Sequence, residues 1–373
     1  MALIDFKVLP GIDKQDTSSG AENRWVDCDN TRFRYGLPEK VGGWSSLITD
    51  TIVGVARRQF AFVDISGNRY IAIGTDKFLL IYFEGQLYDI TPLKTTLTSC
   101  TIATTSGSAV CSITKTSHGL SSGDIVLLDN VTLPGGTGYS DSDFEDKLFQ
   151  VTSVTSSSVF TITQSSNATA TVATGGSLEV KPYEQVGPAE QSYGYGWGID
   201  TWSSGAWGEA ASASDVSLEP GLWSLSNFGQ VLVATIANGK TFTWNAGIAA
   251  RLTTRASTTT SGFSTSANPT ATRVTLVSPT TRHLIHLGTE TTIGDTSTQD
   301  DMFIRFSDQE DINDYTPTAI NSAGSQRLQD GTKIIGSLKA KETILVWTDN
   351  ALYTMKFIGA PFTFGFEQVG TNC

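Results

Sequence analysis

Four carboxylates lie within seven consecutive positions of the stretch FIRFSDQEDINDYTPTAINSAGSQRLQDG, residues 303–331: Asp308, Glu310, Asp311 and Asp314. Carboxylate oxygens bind Ca²⁺, so these residues are weak candidates for a metal site. An EF-hand loop requires a Gly at its sixth position and a Glu at its twelfth, and this stretch has neither. Asp side chains also accept hydrogen bonds from nearby backbone N–H groups in Asx turns. We therefore favour structural turns here, with Pro317 stiffening the chain that follows.

The histidines do not form a recognisable catalytic or metal-binding set. His283 and His286 form an H-x-x-H motif, but residues three apart on a strand point to opposite faces and do not readily share one ion. His118, in SHGLSSGD, has no Cys or second His nearby and is predicted to be structural. The G-x-S-x-G spacing occurs in GLSSG, residues 119–123, but in a turn before a strand and not in the strand-to-helix turn of a nucleophile elbow. No Walker or G-x-G-x-x-G motif is present, nor the S-x-D-x-G-x-x-W turn of sialidase-type propellers. The sequence therefore predicts no enzyme activity and no cofactor.

The composition favours strands and turns and disfavours nucleic-acid binding. The chain has 373 residues, a net charge of −12 and only 17% charged residues, below the roughly 25% of an average soluble domain. Thr, Ser and Gly take the place of the charged residues, which suits pleated sheets and tight turns. Binding to a phosphate backbone depends on Lys and Arg. An acidic chain can surround DNA without holding it.

The cysteines and apolar runs indicate a reduced protein that does not insert stably into a membrane. The four cysteines have no C-x-x-C spacing, which disfavours a zinc ribbon or a redox motif. The start, MALIDFKVLPGIDKQ, has neither the basic nor the apolar region of a secretion signal. No apolar run approaches the roughly 20 residues that cross a bilayer.

A hairpin unit, an apolar strand followed by a turn and an aromatic-rich strand, recurs along the chain. Its second, third and fourth copies are spaced by 52 and 60 residues, whereas the step back to the first is 160 residues. Hairpins at spacings of about 40–50 residues are typical of propeller blades. We predict an all-β fold containing a β-propeller, with a β-sandwich as the alternative. The four copies are Arg69–Thr91, Gly229–Thr253, Arg282–Thr316 and Glu342–Gly359.

The long step predicts an insertion, and abrupt changes in composition mark its limits. Residues 1–94 would form an N-terminal arm and the first blade, and the Thr/Ser-rich residues 95–180 a small inserted barrel or sandwich. Residues 181–228 would form a Gly/Trp-rich arm, and residues 229–373 the further blades. Two short helical turns are expected, in LPEKVGGW and in DSDFEDKLF.

Two groups of residues are candidates for subunit contacts. Arg32 and Arg34 occupy alternate positions on one strand, which suits ion pairing with an acidic neighbour better than DNA recognition. The arm SYGYGWGIDTWSSGAWGEA alternates glycines with rings, so its backbone can approach a surface to which the rings anchor it. Stacking on carbohydrate is the alternative role for these rings. The arm's candidates are Trp197, Trp202 and Trp207.

Several segments together resemble the tail nozzle proteins of short-tailed bacteriophages, also called tail hub or packaged-DNA stabilisation proteins. The segments are GAENRWVDCDNTRFRYGLPEKVGGW, LWSLSNFGQVLVATIANGKTFTWN, FSDQEDINDYTPTAINSAGSQRLQDGTKI and VWTDNALYTMKFIGAPFTFGFEQVGTNC. The resemblance covers the propeller parts, about three-quarters of the chain, and leaves out the insertion. None of these motifs is a catalytic signature.

The resemblance implies a structural virion protein of the tail, assembled in the host cytoplasm. It would form a homo-hexameric ring below the portal and its adaptor protein, extend the DNA channel, help to retain the genome, and carry a tail needle or fibres. Genomic DNA would pass through without sequence-specific binding. Chains of this family continue past the position of Cys373, so we expect further residues there to complete the propeller. The alternative function is a glycan- or receptor-binding tail adhesin.

Overall fold

The structure, a computed structural model, describes residues 8–188, 190–191, 219–258 and 267–371. Strands make up 48% of the chain and helices 2%, which confirms the all-β prediction. Within the described ranges, no helix has the length and hydrophobicity that crossing a membrane requires. The chain divides into two compact units, Met1–Thr49 and Asp50–Cys373.

Over its described residues, 8–49, the first unit contains two small strand pairs. The helical turn expected in LPEKVGGW is wrong, because Leu37–Lys40 is a strand. Tyr35 and Gly36 have φ angles of 52° and 81°, so they close a two-residue hairpin of the type I′ kind. Within residues 8–49 only Ala21 is buried, so this part of the unit has no hydrophobic core. The parallel pair is β1 (Leu9–Ile12) with β2 (Arg24–Trp25), and the antiparallel pair is β3 (Thr31–Arg34) with β4 (Leu37–Lys40).

The second unit begins with a four-stranded antiparallel sheet in which each strand pairs with the next along the chain. Its middle strands are apolar and buried, and the first copy of the repeated hairpin begins at the first residue of the earlier one, Arg69. This first sheet comprises β5 (Ala56–Val63), β6 (Arg69–Thr75), β7 (Leu79–Phe83) and β8 (Gln86–Asp89).

A closed six-stranded barrel follows, in the order β10-β13-β12-β11-β14-β9. Alternate residues along its strands face inward and form a separate core that includes Ile102, Val126 and Phe160. A short 3-10 turn, Asp141–Asp143, lies in DSDFEDKLF, where a helical turn was expected. The strands are β9 (Leu97–Thr104), β10 (Val110–Thr114), β11 (Ile125–Thr132), β12 (Lys147–Ser156), β13 (Val159–Thr163) and β14 (Val172–Pro182).

Three more antiparallel sheets follow the barrel, and each contains one copy of the repeated hairpin. The second sheet comprises β15 (Trp223–Phe228), β16 (Val231–Ile236) and β17 (Thr241–Asn245). The third comprises β18 (Thr272–Val277), β19 (Leu284–Thr289), β20 (Phe303–Phe306) and β21 (Gly324–Arg327), with a 3-10 turn at Thr296–Thr298. The fourth comprises β22 (Ile334–Lys339), β23 (Thr343–Thr348), β24 (Ala351–Gly359) and β25 (Thr363–Thr371).

Shared hydrophobic cores join sheets that follow one another in the chain. The first and second sheets share one core, in which the rings of Tyr70 and Trp244 lie 5.6 Å apart. Trp223 packs closely against Gly74, and its indole N–H donates to the Thr75 carbonyl over 3.0 Å. A smaller cluster joins the second and third sheets, and a large one joins the third and fourth.

A polar network ties the end of the barrel to the sheets. The Asp89 carboxylate accepts hydrogen bonds from Tyr183 Oη over 2.7 Å and from Arg255 Nη1 over 2.9 Å. Arg255 Nη2 also donates to Tyr183 Oη over 2.7 Å. Burial, and then the charge of Asp89, raise the pKa of Tyr183, so the phenol stays protonated and can donate.

The domain boundaries predicted at residues 94, 180 and 228 stay predictions.

Candidate functional site

The acidic loop of residues 308–314 uses its carboxylates to shape its own turns. Asp308 Oδ1 accepts from the Ser322 backbone N–H over 2.8 Å and from Ser322 Oγ over 2.5 Å. Asp314 accepts from the Thr316 backbone N–H over 3.1 Å and from Asn321 Nδ2 over 2.8 Å. Burial by itself raises the pKa of Asp308, but the hydrogen bonds from Ser322 outweigh it and lower that pKa.

The other two carboxylates of the loop also have protein partners. Asp311 Oδ1 accepts from the Asn313 backbone N–H over 2.8 Å, which is an Asx turn. Glu310, at φ 62°, forms an ion pair with Arg282 over 2.9 Å. These contacts give each of the four weak metal candidates a structural role.

Elsewhere in the described chain, one group of three acidic side chains places its oxygens within 4.8 Å of one another: Asp129, Glu145 and Asp146. Glu145 accepts hydrogen bonds from the backbone N–H groups of Asn130 and Val131. Asp129 forms an ion pair with Lys181. Two of the three carboxylates are thus already engaged by the protein.

The two histidines of the H-x-x-H motif are buried in separate hydrogen-bond sets. His283 Nε2 lies 2.9 Å from Ser322 Oγ, whereas His286 Nε2 lies 2.9 Å from Tyr315 Oη and its Nδ1 lies 3.1 Å from Thr272 Oγ1. Burial lowers the pKa of His283 to about 4. Burial, and next the charge of Arg305, lower the pKa of His286 to about 3. Both rings are therefore neutral at physiological pH.

The third histidine is also held by backbone groups. His118 Nδ1 accepts from the Leu120 N–H over 3.0 Å, which leaves its Nε2 to donate to the Ser156 carbonyl over 3.0 Å. Its ring lies 5.1 Å from that of Phe160 in the barrel core.

The candidate contact residues of the first unit form local pairs across the β3–β4 hairpin and its turn. Arg32 makes a bidentate contact with Glu39, at 3.1 and 3.2 Å. The guanidinium of Arg34 lies over the ring of Tyr35, 5.3 Å from its centroid. Neither contact tests a role between subunits. Three further candidates lie outside the described residues: Trp197, Trp202 and Trp207.

A cavity of about 690 Å³ in the second unit is the strongest candidate for a binding site. It is lined by the first strand of each of the four sheets, namely β5, β15, β18 and β22. Its volume lies within the roughly 300–1,000 Å³ of small-molecule sites. Apolar side chains such as Phe60 and Leu225 form much of the wall.

The cavity is basic although the chain is acidic. One carboxylate of the described residues, that of Glu219, lines it. Glu219 accepts from Arg273 over 2.6 Å and from Lys333 over 2.8 Å. Burial alone would raise the pKa of Glu219, but Lys333 and then Arg273 lower it, so the group is ionised and its single negative charge is shared between the two cations. The five basic side chains of the lining are Arg57, Arg58, Arg273, Lys333 and Lys339.

Lys339, the last residue of β22, extends toward the first and second sheets. Its ammonium donates to Ser226 Oγ over 3.0 Å and lies 5.7 Å from the centroid of the Phe60 ring. Desolvation of the ammonium, and next the positive charge of Arg58, lower the pKa of Lys339. Two cations, one from the first sheet and one from the fourth, therefore line the same cavity.

Sequence reasoning did not find the cavity or its basic residues. The available signal was positional, since Arg58, Arg273 and Lys339 each lie on the strand immediately before a repeated hairpin. Strands at equivalent positions of a repeat face a common axis when the repeats close in a circle.

Comparison with known proteins gives no family assignment. No protein-family model matches the chain, and no curated protein matches it. Among solved structures, it is similar to a chain described as a phage phi92 endosialidase, with a TM-score of 0.24 and 13% sequence identity. The match covers 82% of this chain and 46% of that one, so the chain spans about half the length of its neighbour. A TM-score this low does not establish a shared fold.

Proposed function

We propose that this chain is a structural subunit of a bacteriophage tail, a nozzle that acts as a homo-hexameric ring. In this proposal the ring lies below the portal and adaptor, continues the DNA channel, helps to retain the genome and carries a needle or fibres. The protein then resides in the virion after assembly in the host cytoplasm. No catalysis is assigned to it.

The first unit carries the assembly part of the proposal. Within residues 8–49 the large side chains face solvent: Trp44 is 101% exposed, Tyr35 91% and Leu47 70%. Burying a large apolar side chain contributes about 1.5–3 kcal/mol. A segment with no core and several exposed rings is stabilised when it lies on another surface. In a ring of identical subunits, the neighbouring copy provides such a surface.

Charge and sheet arrangement support the rest of the proposal. A net charge of −12 suits a channel through which DNA slides, because acidic walls repel phosphate. We also propose that the four sheets are blades of a propeller. The cavity that their first strands line together supports this arrangement, since the innermost strands of blades surround a central channel.

Electron microscopy of the purified protein, together with mass measurement in solution, tests the assembly. We expect sixfold rings, and we expect Trp44→Ser with Leu47→Ser to disrupt them. Loss of two such contacts weakens association by about 3–6 kcal/mol per interface. Ile320→Ser is the matched control, because Ile320 is 98% exposed and lies in the second unit. A monomer at every concentration, or rings unaffected by the double variant, would refute the proposal.

The alternative function, a glycan- or receptor-binding adhesin, depends on Trp197, Trp202 and Trp207, which lie outside the described residues. Glycan-array binding that disappears when these tryptophans are replaced, without sixfold rings, would favour the adhesin. Rings without glycan binding would favour the nozzle.

A further inference from the structure

Two of the cations in the cavity have no anionic partner among the described residues. Arg273 and Lys333 share Glu219, and Arg273 also pairs with Asp301 over 3.3 Å. Arg58 and Lys339, by contrast, make no ion pair with any carboxylate in the described ranges. Positive charge is therefore concentrated on the side of the cavity between β5 and β22.

The position of Lys339 is held by rigid parts of the fold. Ser226, which accepts from its ammonium, is 1% exposed and also accepts from the Val277 backbone N–H over 3.2 Å. That hydroxyl is anchored where the second sheet meets the third. The ammonium is thus oriented before any ligand arrives, which reduces the entropy lost on binding.

Two like charges that line one cavity repel each other, and an anion between them would remove that repulsion. The lowered pKa of Lys339, caused by desolvation and then by Arg58, is one sign of this unfavourable arrangement. An oxyanion would accept hydrogen bonds from both groups, and charge-assisted hydrogen bonds of this kind are among the strong ones. The ring of Phe60, beneath the ammonium, offers an apolar surface beside the charged one.

We propose that the cavity binds a small organic oxyanion, whose phosphate or carboxylate group lies between Arg58 and Lys339 and whose apolar body lies against Phe60. The cavity volume of about 690 Å³ accommodates a ligand of this size. The site does not depend on the tail-assembly proposal, because all of its residues belong to the second unit of one chain.

Calorimetry on the full chain at pH 7 and low salt tests the proposal with three probes. Phenyl phosphate, inorganic phosphate and benzoate separate the contribution of the ring from that of the anionic group. We expect phenyl phosphate to bind more tightly than inorganic phosphate, because its ring contacts Phe60. If phenyl phosphate binds and benzoate binds weakly or not at all, the ligand is a phosphate. If benzoate binds and phenyl phosphate binds weakly or not at all, the ligand is a carboxylate.

Arg58→Gln and Lys339→Gln should each weaken binding about ten- to hundredfold, the effect of losing a hydrogen bond to a charged group. Arg69→Gln is the control, since it removes the same charge from an exposed position of the first sheet outside the cavity. An equal loss of binding in Arg69→Gln would reduce the effect to general charge and overturn the proposal. So would failure of all three probes to bind.

Thermal stability gives a second and independent measurement. Without ligand, Arg58→Gln should melt at or above the temperature of the natural protein, because a repulsion is removed. Phenyl phosphate or benzoate should raise the melting temperature of the natural protein but not that of the variant. If Arg58→Gln instead changes the oligomeric state, an acidic segment of another copy occupies the cavity and the small-ligand proposal is wrong.

Discussion

Acidification tests His286, in β19, and His283, the residue before β19, because their folded pKa values lie well below the unfolded value of about 6.5. A histidine with a depressed folded pKa binds its proton more weakly in the folded state than in the unfolded state. Its contribution to stability is therefore complete above about pH 6.5 and is lost as the pH falls toward the folded value. For His283 the loss continues to about pH 4, and for His286 to about pH 3.

The interval from pH 6 to pH 5 isolates this effect. Unfolded histidine is mostly protonated throughout this interval, whereas the folded rings are mostly neutral, so each ring lowers the free energy of unfolding by about 1.2 kcal/mol. The two together lower it by about 2.4 kcal/mol. Unfolded carboxyl groups have pKa values of about 4 and contribute little in this interval.

Urea unfolding, followed by tryptophan fluorescence and circular dichroism, measures the change. His286→Gln and His283→Gln should each remove about half of the loss between pH 6 and pH 5, and the double variant nearly all of it. Each variant also loses hydrogen bonds, so the difference between the two pH values is compared rather than the absolute stability. The interval from pH 7 to pH 8 is the internal control, because it lies above the titration of unfolded histidine.

An unchanged pH dependence in both single variants would refute the reasoning. A natural protein whose stability stays constant from pH 6 to pH 5 would also refute it, since the buried rings would then be charged or accessible to water.

Three further predictions concern packing and the polar networks. Asp308→Ala should lower the free energy of unfolding by about 1–3 kcal/mol, because the donors of Ser322 lose their acceptor. Neither Ca²⁺ nor a chelator should change the melting temperature of the natural protein. Arg255→Gln should make the junction between barrel and sheets more sensitive to limited proteolysis, without altering hydrogen exchange inside the barrel. Gly74→Ala should lower the free energy of unfolding by about 1–3 kcal/mol or more, since its Cβ would lie 2.6 Å from Trp223. Gly135→Ala, with open space around it, should leave that free energy nearly unchanged, and chemical denaturation measures both variants.

Much of the local structure could be predicted from the sequence, because hairpins and turns depend on nearby residues. Each copy of the repeated unit lies in one antiparallel sheet, and the Thr/Ser-rich stretch contains the strands of the closed barrel. The turn at Asp311 follows from its own side chain. The helical turn expected in LPEKVGGW failed because the left-handed pair Tyr35 and Gly36 makes that segment the second strand of a hairpin.

The sequence by itself determined the chemistry available: an acidic, strand-forming chain whose carboxylates and histidines offer no familiar catalytic spacing. Only the tertiary structure decided which side chains come together. Arg58 and Lys339 are separated by most of the second unit in sequence, and they line the same cavity because strands of different sheets come together there. Hydrophobic contacts between sheets set that geometry, and such contacts are non-directional and long-range in sequence. No local pattern of residues encodes them.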